Sequence, residues 1–222
     1  MKSLAYPYNF AERCVTLHEG VLFIPEYLPD STPFVFPGWD ALFPRRQPLH
    51  VEYCSGNGAW IVERAKAHPH LNWVAVEKRF DRVKKIWKKR VTDNLFIIFG
   101  EAYQATRDYF VDGQVAGIYV NFPDPWPKKR HAKHRLLQPR FIAEMARVLQ
   151  ADGEVCLVTD DPDYSMLMCE EMLKEKRFHP HHPEPYYTTD KQGYGDSFFD
   201  TLWREKGKTI RYHEFRREHG AG

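Results

Sequence analysis

From Leu49 onward the chain alternates short apolar runs with stretches of helical spacing, and that order leaves few folds open to it. His50-Val51-Glu52-Tyr53-Cys54 reads as a strand, followed by a helix over 59–68. Strands over 72–76 and 95–99 follow, each with its helix, the first running to about 91 and the second over 102–110. A fourth strand is expected at 115–120 and a fifth at 154–159, with helices over 141–149 and from Pro162 through 173. Strands that alternate with helices pair in parallel and are covered by helices on both faces. Residues 198–203 and 209–215 read as two final strands, an antiparallel edge. The expectation is an α/β protein with a mostly parallel seven-stranded sheet. Residues 1–45 are aromatic and proline-rich without a clear period, and predict an N-terminal extension packing on or over one domain at 46–222.

The fourth strand runs into Asn121-Phe122-Pro123-Asp124-Pro125-Trp126-Pro127. Three prolines in five residues fit neither a helix nor a central strand, so the chain leaves the sheet as a stiff loop. That loop carries one carboxylate, Asp124, and one large ring, Trp126. Rigid loops at the carboxyl ends of parallel strands are where open α/β sheets bind ligands. Lys128 to Arg135 then holds five Lys/Arg and no acid. An acid beside an aromatic ring and a basic run suits a nucleobase on a charged backbone. Net charge is only +2, so the clustering is the informative feature. Lys78 to Arg90 is a second cluster, with eight Lys/Arg against Asp81 alone; a solvated helix face explains it equally well.

At the other end of the alternation, Gly56 and Gly58 close the first strand and open a helix. Both let backbone approach a ligand. Glu77 ends the next strand 21 residues after Gly56, where an acid can bridge ribose hydroxyls. Glu101 ends the third strand, within reach of an adenine edge. One such acid alone reads as an N-cap or a surface carboxylate, but three successive strand ends carry one. A dinucleotide phosphate disfavours an acid before the glycines and needs a third small residue, which Ile61 does not provide. Glu52 instead suits a cation, the sulfonium or ammonium of S-adenosylmethionine.

The four cysteines form no C-x-x-C pair, so zinc and redox motifs are unsupported; Cys54 and Cys156 read as small core hydrophobes. His179, His181 and His182 sit in a proline-rich stretch with no spaced partner to complete a metal site. No apolar run is long enough to span a membrane and no signal-peptide core is present, so the expected location is the cytoplasm.

With these residues in hand, the chain resembles the bacterial tRNA (guanine-N7)-methyltransferases over roughly 49–215. The most specific match is Phe122-Pro123-Asp124-Pro125-Trp126 with Lys128, Arg130, His131, Lys133 and Arg135. The resemblance implies a Rossmann-like class I methyltransferase fold and S-adenosylmethionine as cofactor. It implies methylation of N7 of a guanine in the variable loop of tRNA by a monomer or homodimer, with no metal. It makes Glu52, Glu77 and Glu101 the cofactor acids and Asp124 the catalytic-site aspartate, set against cofactor as well. Lys128 becomes a substrate contact, and Arg130, His131, Ala132, Lys133, His134 and Arg135 the RNA-contacting segment. Asp160 falls near the target base, and Ser197-Phe198-Phe199-Asp200 stands where the family has Thr-x-Phe/Tyr-Glu. The chain departs from the family in having Tyr53-Cys54 for Ile-Gly, Glu101 for Asp, and a shorter acid at Asp200. Cys54 is expected to keep the glycine's backbone path only at negative φ. Two other classes compete: an amino-methyltransferase on another RNA base, whose Pro-Pro-aromatic loop Phe122 and Asp124 interrupt, and a non-catalytic RNA-binding protein, disfavoured by the intact acids. A nicotinamide dehydrogenase is more distant, for want of a proton relay.

Overall fold

The computed structural model describes residues 3–26, 34–195 and 197–218, with Lys129 and Ala132 described by backbone only. The chain forms two compact units, Met1–Tyr109 and Phe110–Gly222.

In the first unit the strands are β1 (Thr16–His18), β2 (Val21–Phe23), β3 (Leu49–Tyr53), β4 (Asn72–Glu77) and β5 (Leu95–Phe99), in the spatial order β1-β2-β5-β4-β3. The last three pair in parallel, with Glu52 opposite Ala75 and Glu77 opposite Phe99. β4 is buried along its whole length, as expected of a Trp-Val-Ala-Val run between two parallel neighbours. Ile97 and Ile98 of β5 are wholly buried, each worth about 1.5–3 kcal/mol of burial. The connections are α1 (Trp39–Leu42), α2 (Ala59–Ala67), α3 (Phe80–Lys89) and α4 (Ala102–Tyr109). Helix α3 buries Val83 and Ile86, half-buries Phe80 and Trp87, and is charged at its other positions.

Residues 16–23, part of the aperiodic first 45, supply two strands beyond the expected seven. They make a hairpin whose turn residues Glu19 and Gly20 both have positive φ, 48° and 73°, the geometry of a two-residue turn that matches strand twist. β2 then pairs in parallel with β5, Val21 opposite Ile97. Arg90 holds this turn by donating to the carbonyls of Gly20 and Glu19, each at 3.0 Å.

The second unit holds β6 (Val115–Asn121), α5 (Pro139–Val148), β7 (Leu149–Thr159), α6 (Pro162–Lys174), β8 (Phe178–Pro180), α7 (Phe198–Glu205) and β9 (Arg211–Arg217). Its strand order is β6-β7-β9-β8, parallel for the first pair and antiparallel after it. The antiparallel edge is as expected, but its members differ. Residues 198–203, expected as a strand, are helix α7, because the Ser197 hydroxyl accepts from the Asp200 N–H at 3.0 Å and caps the turn. The edge strand is instead β8, which starts one residue before the stretch that reads as a proline-rich loop and takes in its first two residues; its Phe178 is buried. No helix among the described residues is long and apolar enough to cross a membrane.

Candidate functional site

The carboxyl ends of β3, β4 and β5 lie side by side in the first unit, and they bring Glu52, Glu77 and Glu101 to one edge of the sheet. Glu52 is only 2% exposed. Glu77 is 4% exposed and organises the glycine loop: one carboxylate oxygen accepts from the Gly56 N–H at 2.8 Å, the other from the Arg79 N–H at 2.9 Å. The Arg82 guanidinium stands 3.8 Å away. Burial raises the Glu77 carboxyl above its ordinary value, against the Arg79 N–H, the Arg82 charge and the Gly56 N–H, which all lower it. Glu101 is half-buried and accepts from the Gln104 N–H at 2.9 Å, so it caps the first turn of α4. The capping role weighed for these acids is thus realised at Glu101.

The loop between β3 and α2 runs through three left-handed residues, Cys54 (φ 58°), Gly56 (φ 56°) and Gly58 (φ 74°). Two are glycines, as the turn demands. Cys54 follows the backbone path that favours glycine at positive φ, so the expectation of a negative φ there is corrected. A Cβ on Gly56 would meet nothing closer than the Cys54 carbonyl at 3.8 Å, whereas one on Gly58 would strike Ile86 of α3 at 2.8 Å. Open space over Gly56 beside buried carboxylates fits a ligand with a cationic centre and a hydroxylated sugar, the chemistry of S-adenosylmethionine.

In the second unit, β6 ends on buried Asn121, whose side-chain oxygen accepts from the Tyr194 hydroxyl at 2.7 Å. The ladder to β7 extends one residue further, Phe122 N–H to Val158 carbonyl at 2.9 Å, and then breaks. Phe122 and Trp126 both take left-handed φ, 50° and 44°. Between them, Asp124 is exposed and flanked by Pro123 and Pro125. Trp126 lies against His131 and His134, centroids 5.7 and 5.4 Å away, so its ring braces the loop.

The basic run forms a 3-10 helix, Lys129–His134. Lys128, Arg130, Lys133 and His134 are exposed. Among the described residues, none of Lys128, Arg130, Lys133 and Arg135 pairs with an acid. Arg135 differs from the rest. It is half-buried and donates to the carbonyls of Pro125 and Trp126 at 3.0 and 3.1 Å, tying the helix back to the loop.

The remaining candidates hold structural partners. Asp160, just past β7, accepts from Lys208 at 2.5 Å. Asp200 is 3% exposed and accepts from Arg204 and from the Tyr212 hydroxyl, both at 2.6 Å. Ser197 is its cap, Phe199 lies 6.0 Å from Phe122, and Phe198 is exposed. His182 contacts Glu214 at 2.8 Å and His179 contacts Glu218 at 3.1 Å. Among the described residues no group of three His, Cys, Asp or Glu is placed to hold a metal. Sequence reasoning missed Arg82 and Tyr194. Arg82 sits one turn into a helix already dense in charge, and Tyr194 lies 73 residues from its partner Asn121, beyond any local signal.

Residues 46–212 match the family described as "Putative methyltransferase". Over 217 residues the chain is 45% identical to the tRNA (guanine-N(7)-)-methyltransferase of Chlamydia muridarum, covering 96% of each protein. It is 39% identical over 222 residues to the enzyme of the same name from Chlamydia pneumoniae, covering 99% of this chain and 98% of that one. Among solved structures, the 16S rRNA methyltransferase KamB superposes with a TM-score of 0.57 at 13% identity, over 85% of this chain and 96% of that one. This likeness places the fold among the Rossmann-like class I methyltransferases.

Proposed function

We propose, for a chain that belongs to the tRNA (guanine-N7)-methyltransferase family, a division of labour between the buried acids of β3–β5 and the proline-rich loop after β6. The reaction is transfer of a methyl group from S-adenosylmethionine to N7 of a guanine in tRNA. The cofactor supplies a sulfonium-activated methyl group. Glu52 faces the cationic end of the cofactor, Glu77 its ribose, and Glu101 its adenine edge.

Guanine N7 carries a lone pair and no proton, so the chain need supply no general base. Positioning is the main demand, and the base must leave its stack to present that edge. The purine gains positive charge as N7 is alkylated. Asp124 accepts from N1–H and N2–H, which holds the base and offsets the charge. Its exposure between two prolines is the observation that carries this assignment, because a carboxylate awaiting a substrate should have no structural partner of its own. Asp160 and Asp200 sit nearer structural roles, held by Lys208 and by Arg204 with Tyr212. Lys128, Arg130 and Lys133 grip phosphates. A tRNA substrate puts the enzyme in the cytoplasm.

The test is incubation with labelled S-adenosylmethionine and bulk tRNA, followed by nucleoside analysis. The expected product is 7-methylguanosine. Methylated adenosine would favour the amino-methyltransferase reading instead, and no transfer with intact cofactor binding would favour the non-catalytic one.

A further inference from the structure

Helix α3 carries the most one-sided charge in the first unit. Lys84, Lys85, Lys88 and Lys89 all face solvent, and Lys78 is exposed just before the helix. Four other helices each pair a base with an acid within a turn: Lys66 with Glu63 on α2, Arg147 with Glu144 on α5, Lys174 with Glu171 on α6, and Arg204 with Asp200 on α7. On α3 the single acid, Asp81, binds Arg79. Among the described residues, none of the five lysines pairs with an acid.

This arrangement opposes the helix's own stability. Lys84 and Lys88 lie at i,i+4, as do Lys85 and Lys89, and like charges at that spacing destabilise a helix by about 0.2–0.5 kcal/mol per pair. Solvation alone would be met as well by mixed charges, which would not repel along the helix. Four ammonium groups also fall within six residues, roughly 9 Å of helix axis, a density that suits a run of phosphates. Lys89 adds a tie to the glycine loop by donating to the Asn57 carbonyl at 3.0 Å.

We propose that the lysine face of α3, Lys84, Lys85 and Lys88 with Lys78 before it, is a second phosphate-binding surface for the tRNA substrate, additional to Lys128, Arg130 and Lys133. The inference rests on the tRNA-methylating reading above. The face reads backbone charge, not sequence, and acts on capture of the RNA.

The experiment compares the parent with a Lys84→Gln/Lys85→Gln/Lys88→Gln triple variant and its Lys→Arg counterpart, using unmodified tRNA transcript and a salt titration of binding. Each lost phosphate contact lowers the slope of log affinity against log salt by about 0.7–0.9, so the Gln triple should lose roughly 2–3 in slope. Its KM for tRNA should rise by about tenfold or more. Its cofactor affinity should match the parent, and its Tm should be equal or higher, because the like-charge repulsion is gone. The Arg triple should keep the parent slope. An unchanged slope in the Gln triple overturns the proposal, as does an equal loss in the Arg triple or a joint fall in Tm and cofactor affinity. If the parent itself neither binds tRNA nor forms 7-methylguanosine, the functional reading fails and this surface with it. If the parent does both while the Gln triple is indistinguishable from it, only the lysine face falls.

Discussion

The carboxyl ends of β3–β5 and the loop after β6 solve the same problem, holding a carboxylate in place, by opposite means. Glu77 is buried and fixed by hydrogen bonds: two backbone N–H groups and a nearby guanidinium set its position. Asp124 is exposed and fixed by covalent restraint: two prolines lock φ beside it, and left-handed Phe122 and Trp126 turn the chain at either side. The first device suits a small ligand met many times in one geometry. The second leaves every carboxylate lone pair available to an incoming base. Removing a carboxylate should therefore disturb local structure in the first place and chemistry in the second.

The largest expected effect is at Asp124. Asp124→Asn keeps one accepting oxygen but places a donor against the N1–H/N2–H edge and removes the offsetting charge. The rate in single-turnover methylation should fall about 10²-fold or more, near 2.7 kcal/mol, with cofactor affinity changed far less. A rate within about threefold of the parent would remove Asp124 from the base and leave it a structural role.

Next comes Glu77. Glu77→Ala should weaken S-adenosylmethionine binding by about 1.5–3 kcal/mol and leave tRNA affinity nearly intact. The raised pKa sharpens the contrast. Because the folded value lies above the unfolded one, the native state holds this proton more tightly; the resulting stability is complete below the ordinary 4.5 and lost as pH rises through the folded value. Cofactor binding should run the other way if Glu77 holds the ribose as proposed, since the hydroxyls would donate to the carboxylate. Affinity should fall as pH drops through a midpoint above 4.5, and Glu77→Gln should abolish that step. A calorimetric titration that finds affinity flat with pH in the parent would remove Glu77 from the ribose.

The same contrast explains what was legible in the sequence. Strands β3 to β6 were readable because parallel burial demands apolar runs such as Leu95-Phe96-Ile97-Ile98-Phe99, and the acids at their ends stand out against those runs. Asp124 was readable because prolines are visible one by one. The β1–β2 hairpin was not, since three-residue strands have no period and gain their stability from β5, more than seventy residues on. Helix α7 hid behind Phe198, Phe199 and Trp203, which favour strands, although Ser197 three residues before Asp200 is a helix-start signal. The bracing role of Arg135 was also invisible, because composition cannot separate a guanidinium that grips a phosphate from one that grips its own chain.

Arg135 and Arg130 give a smaller, cleaner test of that last distinction. Arg130→Ala should lower the salt slope of tRNA binding by about 0.7–0.9 with little change in Tm. Arg135→Ala should leave the slope nearly unchanged but cost about 1–2 kcal/mol of stability through its two lost carbonyl bonds, read as a lower midpoint in urea. Equal slope losses in both variants would return Arg135 to the RNA footprint.

The smallest effect lies at Cys54, where the first region breaks its own pattern. Three alternate residues of the glycine loop are left-handed, and only Cys54 has a Cβ to strain there. That conformation costs a non-glycine residue roughly 1–2 kcal/mol, while a glycine loses about 0.5–1 kcal/mol more backbone entropy on folding. Cys54→Gly should therefore stabilise the protein by about 0.5–1 kcal/mol, a Tm rise of roughly 1–4 °C for a chain of this size. Cofactor affinity should stay within about twofold, because Glu77 and the Gly56 N–H already set the loop. A fall in Tm would mean that packing of the half-buried Cys54 side chain outweighs the backbone strain. A large gain in cofactor affinity would mean that the strained residue distorts the loop, and that the cofactor region is less preformed than Glu77 makes it.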